Sequence, residues 1–139
     1  MIADCFLDSN ILINFVDTDP SVSRKRKRSE ELIESQDFGI SAQVLQEFYT
    51  VSTAKLKHPL DSYRAFQLVD KLMEFPVIAI DEGIVTEGIR NSMKYQISYW
   101  DGAIIAAAER LKCKVLYTED LNDGQQYGSV TVKNPFVSD

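Results

Sequence analysis

Apolar residues recur along this chain in two alternating rhythms, one helical and one short and strand-like. The clearest stretch runs from Tyr99 to Asp120. Ile104, Ala107, Ala108 and Leu111 fall at helical spacing, and alanine is the best helix former. Val115-Leu116-Tyr117 follows as a short apolar run of strand type. Asp101 leads into the predicted helix and Asp120 falls just past the predicted strand. Two carboxylates therefore bracket one rigid helix–strand unit.

The same alternation continues through the rest of the chain. Met1 to Leu7 predicts a strand with Asp8 at its C-terminal end. Ser9 and Asn10 are good N-cap residues for a short amphipathic helix through Ile11, Leu12, Phe15 and Val16. After a turn from Asp17 to Pro20, Ser21 to Ser35 reads as a helix with Val22, Leu32 and Ile33 inward. Phe38-Gly39-Ile40 is a minimal strand, and Ser41 caps a helix whose apolar face is Val44, Leu45, Phe48, Tyr49 and Leu56. Glu47 lies along that face. Lys57-His58-Pro59 breaks the chain, and Leu60, Tyr63, Phe66, Val69, Leu72 and Met73 outline the next helix. Val77 to Ile80 predicts a strand. Asp81 to Gln96 predicts a helix with Ile84, Val85 and Ile89 inward. Leu121 to Gln125 reads as a loop, and Val130-Thr131-Val132 as a last edge strand before Asn134-Pro135 closes the chain. Strands alternating with helices predict an α/β fold with a mainly parallel sheet and helices on both sides. Ligand sites in such sheets lie at the C-terminal ends of strands.

The 139 residues suit one domain, 1–139, and 45% hydrophobic content suits one core. No apolar run approaches the roughly 18 residues of a membrane span, and the first residues lack the basic region of a signal peptide. The expected location is cytoplasmic, with no membrane association. Cys5 and Cys113 match no metal-ligand spacing and read as buried free thiols. A net charge of −6 argues against a polyanion as partner, unless the acids are concentrated where cations neutralise them. Against that background Arg24-Lys25-Arg26-Lys27-Arg28 is a dense basic run. It reads as a solvated helix face or as a phosphate-contacting patch. His58, the only histidine, sits beside Pro59 in a loop and reads as a surface residue.

Four acids stand out in this arrangement: Asp8, Glu47, Asp101 and Asp120. Singly they have ordinary explanations: a helix cap for Asp8, a boundary residue for Glu47. Together, in a chain without a Ser/His or Cys/His set, they suggest an oxygen-rich cation site. Mg²⁺ prefers octahedral oxygen coordination at ~2.0–2.1 Å. Without a cation, clustered carboxylates repel and at least one pKa rises.

These residues also carry a resemblance. Leu7-Asp8-Ser9-Asn10-Ile11-Leu12, Ser98-Tyr99-Trp100-Asp101-Gly102-Ala103 and Leu116-Tyr117-Thr118-Glu119-Asp120-Leu121 resemble the first, third and fourth acidic motifs of PIN-domain ribonucleases. Glu47 matches the second, and Asn134-Pro135-Phe136 also fits. The closest group is the VapC-type toxins of type II toxin–antitoxin pairs. The resemblance implies a three-layer α/β/α sandwich, Mg²⁺- or Mn²⁺-dependent RNA cleavage, a homodimer and a cognate antitoxin. It implies Asp8, Glu47, Asp101 and Asp120 as the acids that hold the metal, with Asp123 the alternative fourth acid. Asn10 and Thr118 would orient the acids. The Arg24–Arg28 run is expected to contact RNA phosphates or an acidic antitoxin segment, and Tyr63 and Phe66 to serve the homodimer. Gly102 stands where the family often has Ala. It costs ~1 kcal/mol in a helix interior, or it allows a close helix approach. Two rivals lack a key residue. A haloacid-dehalogenase-type phosphatase needs a second Asp where Asn10 stands, and a receiver module needs a Lys after Val115-Leu116-Tyr117. A non-catalytic PIN-like binding module is the remaining alternative.

Overall fold

A computed structural model describes residues 1–35 and 37–137; Gln36, Ser138 and Asp139 lie outside the described residues. In chain order the elements are β1 (Cys5–Leu7), α1 (Ser9–Val16), α2 (Ser23–Ser35), β2 (Phe38–Ser41), α3 (Ala42–Ala54) and α4 (Ser62–Leu72). There follow β3 (Val77–Ile78), α5 (Glu82–Tyr95), α6 (Tyr99–Arg110), β4 (Val115–Tyr117), β5 (Gln126–Tyr127) and β6 (Val130–Lys133). The strands form one sheet in the order β3-β2-β1-β4-β6-β5. Every pairing is parallel except that of β5 with β6. This is the expected α/β architecture, a central, mainly parallel sheet flanked by helices.

Short strands buried on both faces need continuous apolar runs rather than alternation. β1 and β2 supply them: all of Cys5–Leu7 and all of Phe38–Ser41 are buried. From β1 the chain builds outward through β2 to β3, then returns to β1's other side with β4. The strand order therefore reverses between β1 and β4, and the crevice of an open α/β sheet lies at such a reversal. The β1–β4 register pairs Leu7 with Tyr117. It places Asp8 beside Thr118.

α6 is the central helix of the core. Gly102 to Ala108 are all buried, the expected state of a helix apolar on every side. Its partner α5 meets it through two glycines. A side-chain carbon added to Gly102 would collide with the Gly88 backbone oxygen, and one on Gly88 would come within 3.1 Å of Ala103 Cα. Asn91 Nδ2 closes the contact by donating to Gly102 O at 2.9 Å. Gly102 thus serves close helix approach.

Four details differ from the pattern-based expectation. β1 begins only at Cys5, because Ala3 N and Asp4 N bond instead to Leu111 O and Asp37 O. β3 ends at Ile78, and Ile80 is 40% exposed. On α5, Val85 and Ile89 face solvent, while Ile84, Gly88 and Asn91 form the inward line. The close approach to α6 selects the small and polar positions over the larger apolar ones. Finally, β6 is not an edge strand. β5 lies outside it, joined by a tight turn in which Gly128 has φ 61°. Besides these four, the helix bounds shift: Asp8 rather than Ser9 or Asn10 caps α1, α2 starts at Ser23 after a 3₁₀ turn at Pro20–Val22, and Leu56 and Leu60 fall outside α3 and α4. The Ser41 cap and the free buried cysteines agree with expectation.

The Gly88–Gly102 contact makes a prediction opposite to helix propensity. Alanine at position 102 should help the helix by ~1 kcal/mol on propensity alone. We expect Gly102→Ala to lower unfolding free energy by about 1–3 kcal/mol, through overpacking against backbone. Urea denaturation measures this, and a stabilised variant contradicts the close-packing account.

Candidate metal centre

Asp8, Asp101 and Asp120 converge at the C-terminal end of the central strands. One carboxylate oxygen from each lies within 4.8 Å of the others. Each arrives by a different route. Asp8 follows β1 and is the N-cap of α1, with Oδ1 accepting from Ser9 N at 2.7 Å. Asp101 stands in the first turn of α6, whose cap is Ser98; Ser98 Oγ accepts from Asp101 N at 3.0 Å. Asp120 follows β4 on the segment that carries Thr118.

Thr118 is fully buried and ties two of the acids together. Its hydroxyl donates to Asp8 Oδ2 at 2.8 Å. Thr118 Oγ1 in turn accepts from Asp120 N at 3.0 Å and from Asn10 Nδ2 at 3.3 Å. Asn10 Nδ2 also reaches Asp120 Oδ2 at 3.2 Å. Asn10 Oδ1 is buried with no hydrogen-bond partner among the described residues. Thr118 thus bonds both Asp8 and Asp120, and Asn10 bonds Thr118 and Asp120.

Asp8 is only 3% exposed. Burial pushes its carboxyl up to about 7, against the lowering effect of the Thr118 and Ser9 bonds, and the charges of Asp120 and Glu47 add to the rise. Burial also raises Asp101, with Asp120's charge second. Asp120 is raised by burial as well, and the Asn10 bond opposes this. Glu47 stands outside the close trio, half-buried on α3. Burial lifts its pKa, bonds from Ser9 and Gln43 lower it, and the charges of Asp120 and Asp101 raise it again. It therefore feels the cluster electrostatically. Its Gln43 neighbour also donates to Trp100 O at 3.2 Å, joining α3 to the start of α6.

Asp123 is placed differently. Its Oδ1 accepts from Asn134 N at 2.8 Å, outside the trio. The basic run is divided. Lys25 Nζ bonds Glu119 Oε2 at 3.0 Å, Arg26 Nη1 donates to Asp17 O at 2.7 Å, and Arg28 lies 3.9 Å from Glu31. Arg24 and Lys27 are exposed. Ser9 beside Glu47 and Lys25 beside Glu119 have no local signal, since side chains this far apart meet only through the fold. His58 is exposed, as expected.

The donor set suits a hard divalent cation. All the converging atoms are carboxylate oxygens, the chemistry Mg²⁺ and Mn²⁺ select. A carboxyl raised this far by burial and like charge is one that a cation would return to its ionised form.

The family model of the PIN domain matches residues 5–123, a span that contains every one of these acids. The chain belongs to the PIN domain family. Solved structures agree on the fold. A toxin–antitoxin complex from Klebsiella pneumoniae contains a chain of TM-score 0.71 at 18% identity, the match covering 95% of this chain and 98% of that one. FitAB bound to an IR36 DNA fragment gives TM-score 0.68 at 21% identity, covering 97% of each chain. Mycobacterium tuberculosis VapC20, described as a sarcin–ricin loop cleaving toxin, gives 0.65 at 14% identity over 84% of this chain and 91% of that one. No protein of curated function matches the sequence significantly.

Asp8 gives this PIN domain a pH signature. Its folded pKa, about 7, lies above the ordinary aspartate value of 3.8. Between those values the folded protein holds a proton that the unfolded chain releases, so metal-free stability falls as pH rises through the window. The raised carboxyls of Glu47, Asp101 and Asp120 act in the same direction. In chelator, the melting temperature should therefore be higher near pH ~5 than near pH ~7.5, and Asp8→Asn should make the fall shallower. A wild-type melting temperature that rises over this range contradicts the assignment.

Proposed function

We propose that this PIN domain is a divalent-metal-dependent ribonuclease that hydrolyses RNA phosphodiester bonds and is the toxin of a toxin–antitoxin pair. The observation that carries this reading is the three-carboxylate cluster at the strand-order reversal of a PIN fold. One structural neighbour was solved as a toxin–antitoxin complex and another is described as a loop-cleaving toxin. Both support the reading through fold. Among the described residues no helix is long and apolar enough to cross a membrane. The reading carries a cytoplasmic location with it.

Asp8, Asp101 and Asp120 would hold Mg²⁺ or Mn²⁺, with Glu47 completing the shell directly or through water. When bound, the cation supplies Lewis-acid activation of water and of the phosphodiester. The chain's own contribution is position. Thr118 fixes one oxygen of Asp8 and the backbone of Asp120, so the two carboxylates cannot swing apart to relieve repulsion. Asn10 holds Asp120, the most exposed of the three. Burial of Asp8 keeps one side of the site dry, which strengthens its attraction for a cation. On this reading no side chain need act as a general base; His58, the one histidine, is exposed in a loop.

The homodimer that accompanies this reading uses α4, where Tyr63 is 72% and Phe66 59% exposed. Light scattering on the protein without antitoxin should give a dimer, and a monomer at high micromolar concentration overturns it.

The metal reading is tested by amide substitutions. Asp8→Asn and Asp101→Asn should nearly abolish Mg²⁺-dependent RNA cleavage and remove the Mg²⁺-dependent rise in melting temperature. The metal-free fold should be retained, because the amide relieves repulsion among the carboxylates, and ligand stabilisation and activity should be lost together if one ion serves both. Glu47→Gln should act in the same direction, less severely if its contact is through water. Asp120→Asn should follow Asp8→Asn, whereas Asp123→Asn should leave cleavage largely intact. Thr118→Val keeps the shape and loses the hydroxyl, and should cost roughly 10–100-fold in metal affinity or activity. Asp101→Asn that cuts RNA at near wild-type rate overturns the metal-nuclease mechanism. Wild-type protein that binds RNA with Mg²⁺ but never cuts it favours a non-catalytic PIN-like module.

A further inference from the structure

Alternation at the end of β4 sends successive side chains to opposite sides. Thr118 and Asp120 join the acid centre. Tyr117 lines a separate groove of about 820 Å³, and Glu119 bonds Lys25 on that groove's wall. The acid centre and the groove therefore share one rim, made by the four consecutive residues Tyr117 to Asp120.

The groove runs between α2 and the turn that follows β6. Its cations are Arg24, Lys25, Lys27, Arg28 and Lys133, against two acids, Glu31 and Asp123. This is a local excess of positive charge in a chain of net charge −6. Arg24, Lys27 and Arg28 stand at i, i+3 and i+4, so one helix face presents all three. Arg26 is absent from the lining and is spent on the Asp17 carbonyl. Opposite the cations stands Phe136, half-buried, with the Lys25 ammonium 5.3 Å from its ring centroid. Its turn is fixed, because Asn134 Oδ1 accepts from Phe136 N at 2.9 Å and Asp123 Oδ1 from Asn134 N.

We propose that this groove is the track for single-stranded RNA leaving the acid centre, with Phe136 as a stacking surface for one base and Arg24, Lys27, Arg28 and Lys133 as phosphate contacts. The proposal rests on the ribonuclease reading above and names where the strand lies. A positive groove with an aromatic ring is the arrangement that binds single strands without reading sequence. An acidic peptide would engage the cations and leave the ring unused. On this account Asp123 has a positioning role, through Asn134, in holding the Phe136 turn.

Binding is measured by fluorescence anisotropy with the full-length protein in chelator at low salt, so that no cleavage occurs. The probe is a fluorescein-labelled oligoadenylate of about twelve nucleotides, within the usual single-strand site range. Stacking of one base predicts that Phe136→Ala weakens binding by roughly 5- to 150-fold. Phe136→Trp should restore it, which separates stacking from loss of packing. The triple variant Arg24→Gln, Lys27→Gln, Arg28→Gln should make the salt dependence shallower by about 2 in log–log slope. Arg26→Gln should leave affinity and slope unchanged. Three results overturn the proposal: wild-type affinity in Phe136→Ala, an unchanged slope in the triple variant, or stronger binding of a polyglutamate peptide than of RNA. Cleavage of the same oligonucleotide in Mg²⁺ separates the two readings. Wild-type cleavage with groove variants that bind and cut normally sinks the track alone. Groove-dependent binding without cleavage by any form sinks the nuclease reading alone.

Discussion

Three carboxylates held within 4.8 Å repel one another, and the rest of the architecture opposes that repulsion. A flexible chain would let the acids separate into water. Here each is tied by hydrogen bonds or by its place in an element of the fold. Asp8 is fixed by the central strand and by capping its own helix. Asp101 is fixed by a helix buried on every side and stopped at its start by Ser98. Asp120 is held through the Thr118 hydroxyl and the Asn10 amide. The electrostatic strain appears in Asp8, whose carboxyl is pushed up to about 7 chiefly by burial. Groups preorganised in this way lose little further freedom when a cation arrives.

The anchoring reaches back into the core through a small number of contacts. Gly88 and Gly102 let two helices approach until backbone touches backbone, and Asp101 is the residue next to that contact. The pairing of Leu7 with Tyr117 fixes Asp8 against Thr118. A slip of one residue in that register would send Thr118 to the opposite face and leave Asp8 buried without its donor. Packing and chemistry are thus set by the same few positions.

Much of this was legible from local pattern. Val115-Leu116-Tyr117 has the predicted bounds of β4, Ser41 caps α3, and both cysteines are buried and free. Asp8, Asp101 and Asp120 could be picked out because strand ends and helix starts are local features, whereas Glu47 lies mid-helix and outside the trio. What local pattern missed depends on partners distant in sequence. Val85 and Ile89 read as inward because they are the larger apolar residues of α5, but the glycine contact with α6 selects Ile84, Gly88 and Asn91. The β5–β6 hairpin was hidden because β5 is two residues long, one of them polar. Asp120 is favoured over Asp123 in the sequence only by its place at the strand end; the turn that gives Asp123 to Asn134 then sets them apart. The uniform basic run separates into different partners once α2 is seen against Glu119 and the Asp17 turn.

The sheet order carries a consequence for synthesis. β1 is made first among the strands, yet it is completed on one side only when β4 pairs with it. The bond from Thr118 to Asp8 joins residues 110 positions apart. Contacts of such sequence separation form late, after the loop entropy between them has been lost. A ribosome translating this chain therefore exposes Asp8 long before Asp120 exists. No nascent segment that stops short of β4 can assemble the three acids. The centre comes into being only with β4 and the residues just after it, and a truncation before Asp120 but after α6 removes it without touching Asp8 or Asp101.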